Sequence, residues 1–257
     1  MHTTGRAYRH HEPIEGNFDA IVIGSGMGGM SAAVCLARQG QAILLLEQHN
    51  VIGGLTQNYT RRGYRWSTGL HYVGDVASRR TLTRQLFDYI TDDGIEWAPM
   101  PEIFNRVIVG GKSYDVPAGA EKFAAAMKAY FPAEHAAIDQ YMDLVKSVSR
   151  SSSAYFAQKA LPQGELSDAF ETLAEPFYTF SDRLTVDVLR EITADEELIA
   201  VLCGNWGDYS LEPTRSSFAM HCMLNKHYMN GGSYPVGGGG ALADAMVPII
   251  ENAGGCV

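Results

Sequence analysis

Apolar positions along the chain fall into runs of different period, and each predicts a different element. Ala20, Ile21, Val22 and Ile23 form an unbroken apolar run, the pattern of a strand buried on both faces. Ala32, Ala33, Leu36 and Ala37 then recur at helical spacing, and Gly40 stands where the C-cap of that helix belongs. A second unbroken run, Ala42 to Leu46, predicts a strand parallel to the first and ends at Glu47. Leu55 to Thr60, a turn at Arg61-Arg62-Gly63 and the run from Tyr64 onward read as a hairpin. Beyond Gly74 the pattern is mostly helical, with Ile138, Tyr141, Met142, Val145 and Val148 forming a core stripe. Thr193-x-x-Glu196 reads as a capping box opening a helix through Leu202. Ser216 or Ser217 caps a further helix to about Met229, closed by Asn230-Gly231. The last segment, Ala241 to Asn252, follows Gly237–Gly240, with Pro248 expected to kink it.

The break between the first strand and helix carries chemistry. Gly24-Ser25-Gly26-Met27-Gly28-Gly29 fits G-x-G-x-x-G at Gly24, Gly26 and Gly29. Gly24 permits the tight turn, Gly26 lets the backbone approach a pyrophosphate, and Gly29 lets the helix pack close to the sheet. The helix N-terminus offers unpaired N–H groups to phosphates. Glu47, with Gln48 after it, ends the second strand where a carboxylate accepts ribose hydroxyls. A strand before, a helix after and the acid at the second strand end make this a dinucleotide-binding βαβ unit. The four glycines at 237–240 do not repeat it, because Leu242 occupies the place of the last glycine. They read as a loop and helix start.

The residues after Glu47 separate the cofactors. An NAD enzyme continues into another helix and strand, whereas this chain gives Gly53-Gly54 and then a hairpin. The order G-x-G-x-x-G, Glu, Gly-Gly resembles the extended FAD fingerprint of the glutathione-reductase-like flavoproteins. Trp66-Ser67-Thr68-Gly69-Leu70-His71-Tyr72-Val73-Gly74 resembles the segment after that pair in the phytoene desaturase, carotenoid isomerase and retinol saturase group. Leu202 to Tyr209 and Tyr234 to Gly238 are similar to its retinol saturase side. Where much of the group carries an acid before Thr-Gly, this chain has Ser67. The resemblance implies an α/β fold: a Rossmann-like FAD-binding domain with an inserted, mainly helical substrate domain. The expected divisions are a polar tail at 1–17, the FAD unit and hairpin at 18–75, the insertion at 76–230 and a return segment at 231–257. It further implies FAD bound by Gly24, Ser25, Gly26, Met27, Gly28, Gly29, Glu47, Gln48, Gly53, Gly54 and Gly69, with NAD(P)H as a candidate electron donor. The reaction implied is hydride transfer at a carbon–carbon double bond of a lipophilic polyene, by saturation, desaturation or isomerisation. His71 and Tyr72, read as alternating across a strand that passes the flavin, are the candidate acids for the accompanying proton. In the family the chain continues into further FAD-domain strands, so an incomplete FAD domain, with a missing C-terminal half, is expected here.

Composition narrows the partners. A formal charge of −9 argues against nucleic acid, which needs a basic footprint. Arg79, Arg80 and Arg84 are expected on a solvated helix face, and Arg61 and Arg62 at the hairpin tip in solvent, with the pyrophosphate as the alternative. The four cysteines show no zinc spacing and read as free thiols of a reducing, cytoplasmic compartment, with Cys35 packed against the sheet. The pair His10-His11 lies in the polar tail, and His221 and His227, six apart, point to different helix faces, so no metal is expected. No apolar run approaches the roughly 20 residues of a membrane span, while peripheral membrane contact stays open. Two rival readings remain: an amine-oxidase-like flavoenzyme, which shares the fingerprint, and a non-catalytic partial FAD fold.

Overall fold

Residues 6–7, 13–160 and 168–257 are described by the computed structural model; the His10-His11 pair lies outside them. β1 (Ala20–Ile23) and β2 (Ile43–Leu46) pair in parallel, Ala20 opposite Ile43 through Ile23 opposite Leu46. α1 (Met27–Ala37) joins them and turns Met30, Ala33, Val34 and Ala37 inward at i, i+3, i+4 and i+7. Cys35 is partly buried against the same core. β2 is buried at Ile43, Leu44 and Leu45. β1 corrects the sequence expectation: Ile21 is 61% and Ile23 85% exposed, so one face of the strand is open. An apolar run records what a strand is able to bury, and no described element covers this face. On the far side of β2, Cys256 makes a parallel bridge to Leu44.

A 3-10 turn, Gly54–Thr56, leads into the hairpin of β3 (Asn58–Arg61) and β4 (Tyr64–Ser67). Arg62 (φ 52°) and Gly63 (φ 80°) form its two-residue turn, the positive-φ geometry that follows antiparallel strand twist. Next come β5 (Val73–Gly74), α2 (Leu82–Thr91) and β6 (Trp97–Pro99). Of the arginine cluster, Arg79 and Arg80 are exposed as expected, with Arg79 pairing with Asp93 at 3.0 Å, whereas Arg84 departs from the expectation: it is 12% exposed and pairs with Asp88 at 2.6 Å and Asp93 at 3.7 Å. The acids at 88 and 93 draw Arg84 out of solvent.

Met100–Gly231 forms a second compact unit, and Met1–Pro99 with Gly232–Val257 forms the first. The insertion thus begins later than residue 76. Residues 76–99 stay with the first unit because Ile90 of α2 joins its core and β6 pairs with the returning strand. The second unit opens with a hairpin, β7 (Ile103–Val109) and β8 (Lys112–Pro117), in a region read as mostly helical. Among the described residues six α-helices follow: α3 (Ala120–Tyr130), α4 (His135–Ala160), α5 (Asp168–Ser181), α6 (Thr185–Ile192), α7 (Glu196–Leu202) and α8 (Phe218–Tyr228). Ile138, Tyr141, Val145 and Val148 of α4 are buried as their spacing requires. α7 ends where expected, but its cap is Asp195, whose carboxylate accepts from the N–H groups of Glu197 (2.9 Å) and Leu198 (3.0 Å). Thr193 instead donates to Glu134 at 2.6 Å. Ser217 caps α8. His221, on α8, is buried against Tyr141, its Nε2 lying 3.0 Å from the phenol oxygen, and desolvation lowers its pKa to about 3.

The chain returns to the first unit as β9 (Gly232–Pro235), the central strand between β5 and β6 in an antiparallel sheet. α9 (Gly240–Asn252) runs on through Pro248 and buries Leu242, Ala243, Met246, Val247 and Ile250 in the core of α1 and β2. Among the described residues no helix is long and apolar enough to cross a membrane, and no group of three His, Cys, Asp or Glu could hold a metal.

Candidate functional site

The glycine loop and the acid at the second strand end are welded together by Ser25. Its N–H donates to Glu47 Oε2 at 2.8 Å and its hydroxyl to the same oxygen at 2.5 Å. The hydroxyl oxygen also accepts the Gly53 N–H at 3.0 Å. The other carboxylate oxygen, Oε1, accepts the His49 N–H at 2.9 Å. These bonds, the Ser25 hydroxyl first, hold Glu47 at a pKa of about 2, so the carboxylate is ionised throughout the neutral range. Each carboxylate oxygen has two lone pairs, so Oε1 keeps acceptor capacity for a further hydroxyl. Gln48, after it, is exposed.

The glycines divide by what surrounds them. A Cβ at Gly29 would lie 1.9 Å from the Gly24 carbonyl oxygen, so only glycine lets α1 sit this close to the strand end. A Cβ at Gly54 (φ +57°) would lie 2.8 Å from the Gly26 Cα, so the glycine pair after β2 rests directly on the loop before α1. Thr56 secures that pair, its hydroxyl donating to the Gly53 carbonyl at 2.8 Å and lying 3.9 Å from Met27 Sδ. At Gly24, Gly26 and Gly28 a Cβ would meet nothing within 4 Å. These three face open space beside the first turn of α1, whose N-cap, Gly26, makes no side-chain cap. Bare backbone and uncapped helix N–H groups as donors, with an ionised carboxylate as acceptor at the strand end, are the set that fits a dinucleotide diphosphate and its sugar.

From this loop the surface continues through the 3-10 turn. Gly69 N–H donates to the Leu55 carbonyl at 2.9 Å, and a Cβ on Gly69 would crowd Leu55 at 3.0 Å. His71 and Tyr72 do not alternate across a strand: they lie in the non-repetitive link before β5, where the backbone leaves hairpin pairing. His71 is exposed, and the Tyr72 ring is half-buried over Gly232, where a Cβ would meet it at 2.6 Å. The structure does not join either residue to the Ser25–Glu47 network.

Residues 22–90 match the NAD(P)-binding Rossmann-like domain. All-trans-retinol 13,14-reductase from Danio rerio is 36% identical over 249 residues, which cover 94% of this chain and 41% of that protein. This chain is also similar to the all-trans-retinol 13,14-reductase of Homo sapiens, 37% identical over 93% of this chain and 40% of that protein. It spans about two fifths of the length of those relatives. Prolycopene isomerase 2 from an Oncidium hybrid cultivar is 25% identical over 92% of the chain and 41% of that protein. Among solved structures, cyclohexylamine oxidase from Brevibacterium oxydans superposes with a TM-score of 0.57 at 16% identity, over 94% of this chain and 51% of that one. At that identity the likeness is one of fold, and it agrees with the Rossmann-like architecture read from residues 20–54.

Two features escaped the sequence reading. Ser25 was placed in the glycine loop without its bridging role, which needs the register of β1 and β2 to bring position 25 beside position 47. Asn58, Ser67 and Tyr234 converge from β3, β4 and β9, and no spacing in the sequence announces that meeting.

Proposed function

We propose that this chain forms the dinucleotide-binding part, with an inserted helical unit contributing to substrate binding, of an FAD-dependent oxidoreductase acting on carbon–carbon double bonds of a lipophilic polyene. The observation that carries the reading is the contact of Gly54 with Gly26 beside an ionised Glu47 tied to Ser25. It unites the two glycine motifs and the acid in one surface. Homology to the retinol reductases, and more distantly to a prolycopene isomerase, supports the polyene as substrate class. When bound, the flavin supplies the two-electron chemistry. The chain's own share is to hold the diphosphate on the N–H groups at Gly26–Gly29, hold the sugar on Glu47 and seat the ring end past Gly53-Gly54 and Gly69. Tyr72 and His71 are the proposed proton carriers, and NAD(P)H the proposed electron donor. Access to a lipophilic substrate would come through peripheral membrane contact from a reducing, cytoplasmic compartment.

An absorbance spectrum of the purified protein tests this reading, followed by anaerobic addition of NADPH. A flavin spectrum that bleaches supports both cofactor and donor; a colourless protein in excess FAD refutes the cofactor. The amine-oxidase alternative shares only the fold, and oxygen consumption on amines in place of polyene turnover would establish it. Tyr72→Phe is expected to lower turnover with the flavin spectrum intact.

A further inference from the structure

We propose that the outer face of the β3–β4 hairpin docks on an anionic lipid surface, with its aromatic rings at the headgroup boundary and its arginines on the lipid phosphates; this rests on the reading above of a lipophilic substrate reached by membrane contact. Strand alternation gives the hairpin two faces. Asn58 and Ser67 lie opposite each other on one face, where Ser67 is hydrogen-bonded to Tyr234 of β9 and the Asn58 amide donates to the Gly237 carbonyl at 3.4 Å. On the other face Tyr59 pairs with Trp66 and Arg61 with Tyr64 across the strands. Tyr59 is 49%, Trp66 53% and Tyr64 70% exposed, and Arg61 and Arg62 are exposed at the turn. One face is thus tied to the first unit, while three large rings stand in solvent on the other.

Charge selects the surface that meets these rings. The chain carries a formal charge of −9, yet no acid occurs between Glu47 and Asp75, and Arg61, Arg62 and Arg65 fall within five positions. An anionic bilayer repels the chain as a whole and attracts this stretch, which sets the orientation of approach. Tyr and Trp then suit the boundary between headgroups and acyl chains, because each joins an apolar ring to a polar edge. Arginine stems lie along apolar surface while the guanidinium stays with the phosphates, so the hairpin lies flat in the interface with its cations at one end. The hairpin follows directly on Gly53-Gly54, and a Cβ at Gly54 would lie 2.8 Å from the Gly26 Cα. Docking would therefore hold the cofactor surface beside the bilayer that stores a lipophilic substrate.

The test is sedimentation of the purified protein with vesicles of phosphatidylcholine alone or with about one-third phosphatidylglycerol, at low and high salt, with neither polyene nor FAD added. Binding is expected to the anionic vesicles and to weaken with salt, and acyl chains carrying bromine should quench an emission component that Trp66→Phe removes. Arg61→Gln combined with Arg62→Gln should weaken anionic binding about thirtyfold, roughly fivefold per cation, with unchanged circular dichroism. Tyr59→Ser combined with Tyr64→Ser should weaken it at every salt concentration. No binding to anionic vesicles, binding that the arginine variant leaves unmoved, or binding without quenching at Trp66 overturns the docking surface and leaves the polyene reading to its flavin and turnover tests. Self-association that the tyrosine variant abolishes, without vesicle binding, also overturns it and assigns the face to a second copy of the chain. Vesicle docking by a protein that turns over no polyene supports the surface and counts against the polyene reading alone.

Discussion

Replacing Ser25 with alanine removes one oxygen and breaks two buried connections at once. The hydroxyl donates to the ionised Glu47 carboxylate at 2.5 Å and accepts the Gly53 N–H at 3.0 Å, and Ser25 is fully buried. A hydrogen bond to a charged group contributes about 1.5–3 kcal/mol, and a buried N–H left without an acceptor costs about 1–3 kcal/mol. Glu47 is partly exposed and water would replace part of the first loss, so the expected destabilisation is about 3 kcal/mol. The Glu47 pKa should rise from about 2 toward the ordinary carboxylate value, because the Ser25 hydroxyl is the largest influence holding it down. Urea unfolding of wild type, Ser25→Ala, Glu47→Gln and the double variant gives the first quantity and the coupling between the residues. Carbon-detected titration of the Glu47 carboxylate gives the second. A loss under about 0.5 kcal/mol, with the carboxylate still titrating near 2, would refute the bridge.

Three further outcomes follow from the same geometry. Gly54→Ala places a Cβ 2.8 Å from the Gly26 Cα at φ +57°, so it should weaken FAD binding at least tenfold while leaving the thermal unfolding of the second unit unchanged; calorimetry reads both. Folded His221 titrates near 3 against 6.5 when unfolded, so the unfolded state binds the extra proton. Stability is full above about pH 6.5 and falls as pH drops toward 3, by about 2 kcal/mol between pH 7 and 5, a loss that His221→Gln should remove in urea midpoints. Asp195→Ala should cost about 1 kcal/mol in the same assay, whereas Thr193→Ala should not release the α7 cap, because Asp195 makes both cap bonds.

The strand–helix–strand start, the two glycine motifs and Glu47 were legible because each local signal there agrees with the tertiary outcome. Gly29 and Gly54 are glycines for steric reasons that the motif already encodes. The burial of β1 was not legible, since apolar character states a capacity and Ile23 remains 85% exposed. The β7–β8 hairpin was missed although Gly110-Gly111 between Ile103–Val109 and Lys112–Pro117 carries a turn signal, because helical stripes farther along dominated the region. The α7 cap was misplaced by two residues, as Thr193 and Asp195 both precede the helix and only the contact of Thr193 with Glu134 decides between them. Ser67 stood out only as a departure from the family pattern; its partners, 9 and 167 residues away, come together through strand pairing.

The central claim is that residues 24–29 hold a dinucleotide diphosphate with Glu47 on its sugar. It is tested most directly by following the backbone amides of the isotope-labelled protein during titration with FAD, with ADP and riboflavin as competitors. Saturable shifts at Gly24–Gly29 and Glu47 that ADP reproduces and riboflavin does not are the predicted result. Amides at 24–29 that stay unmoved at saturating FAD would contradict it.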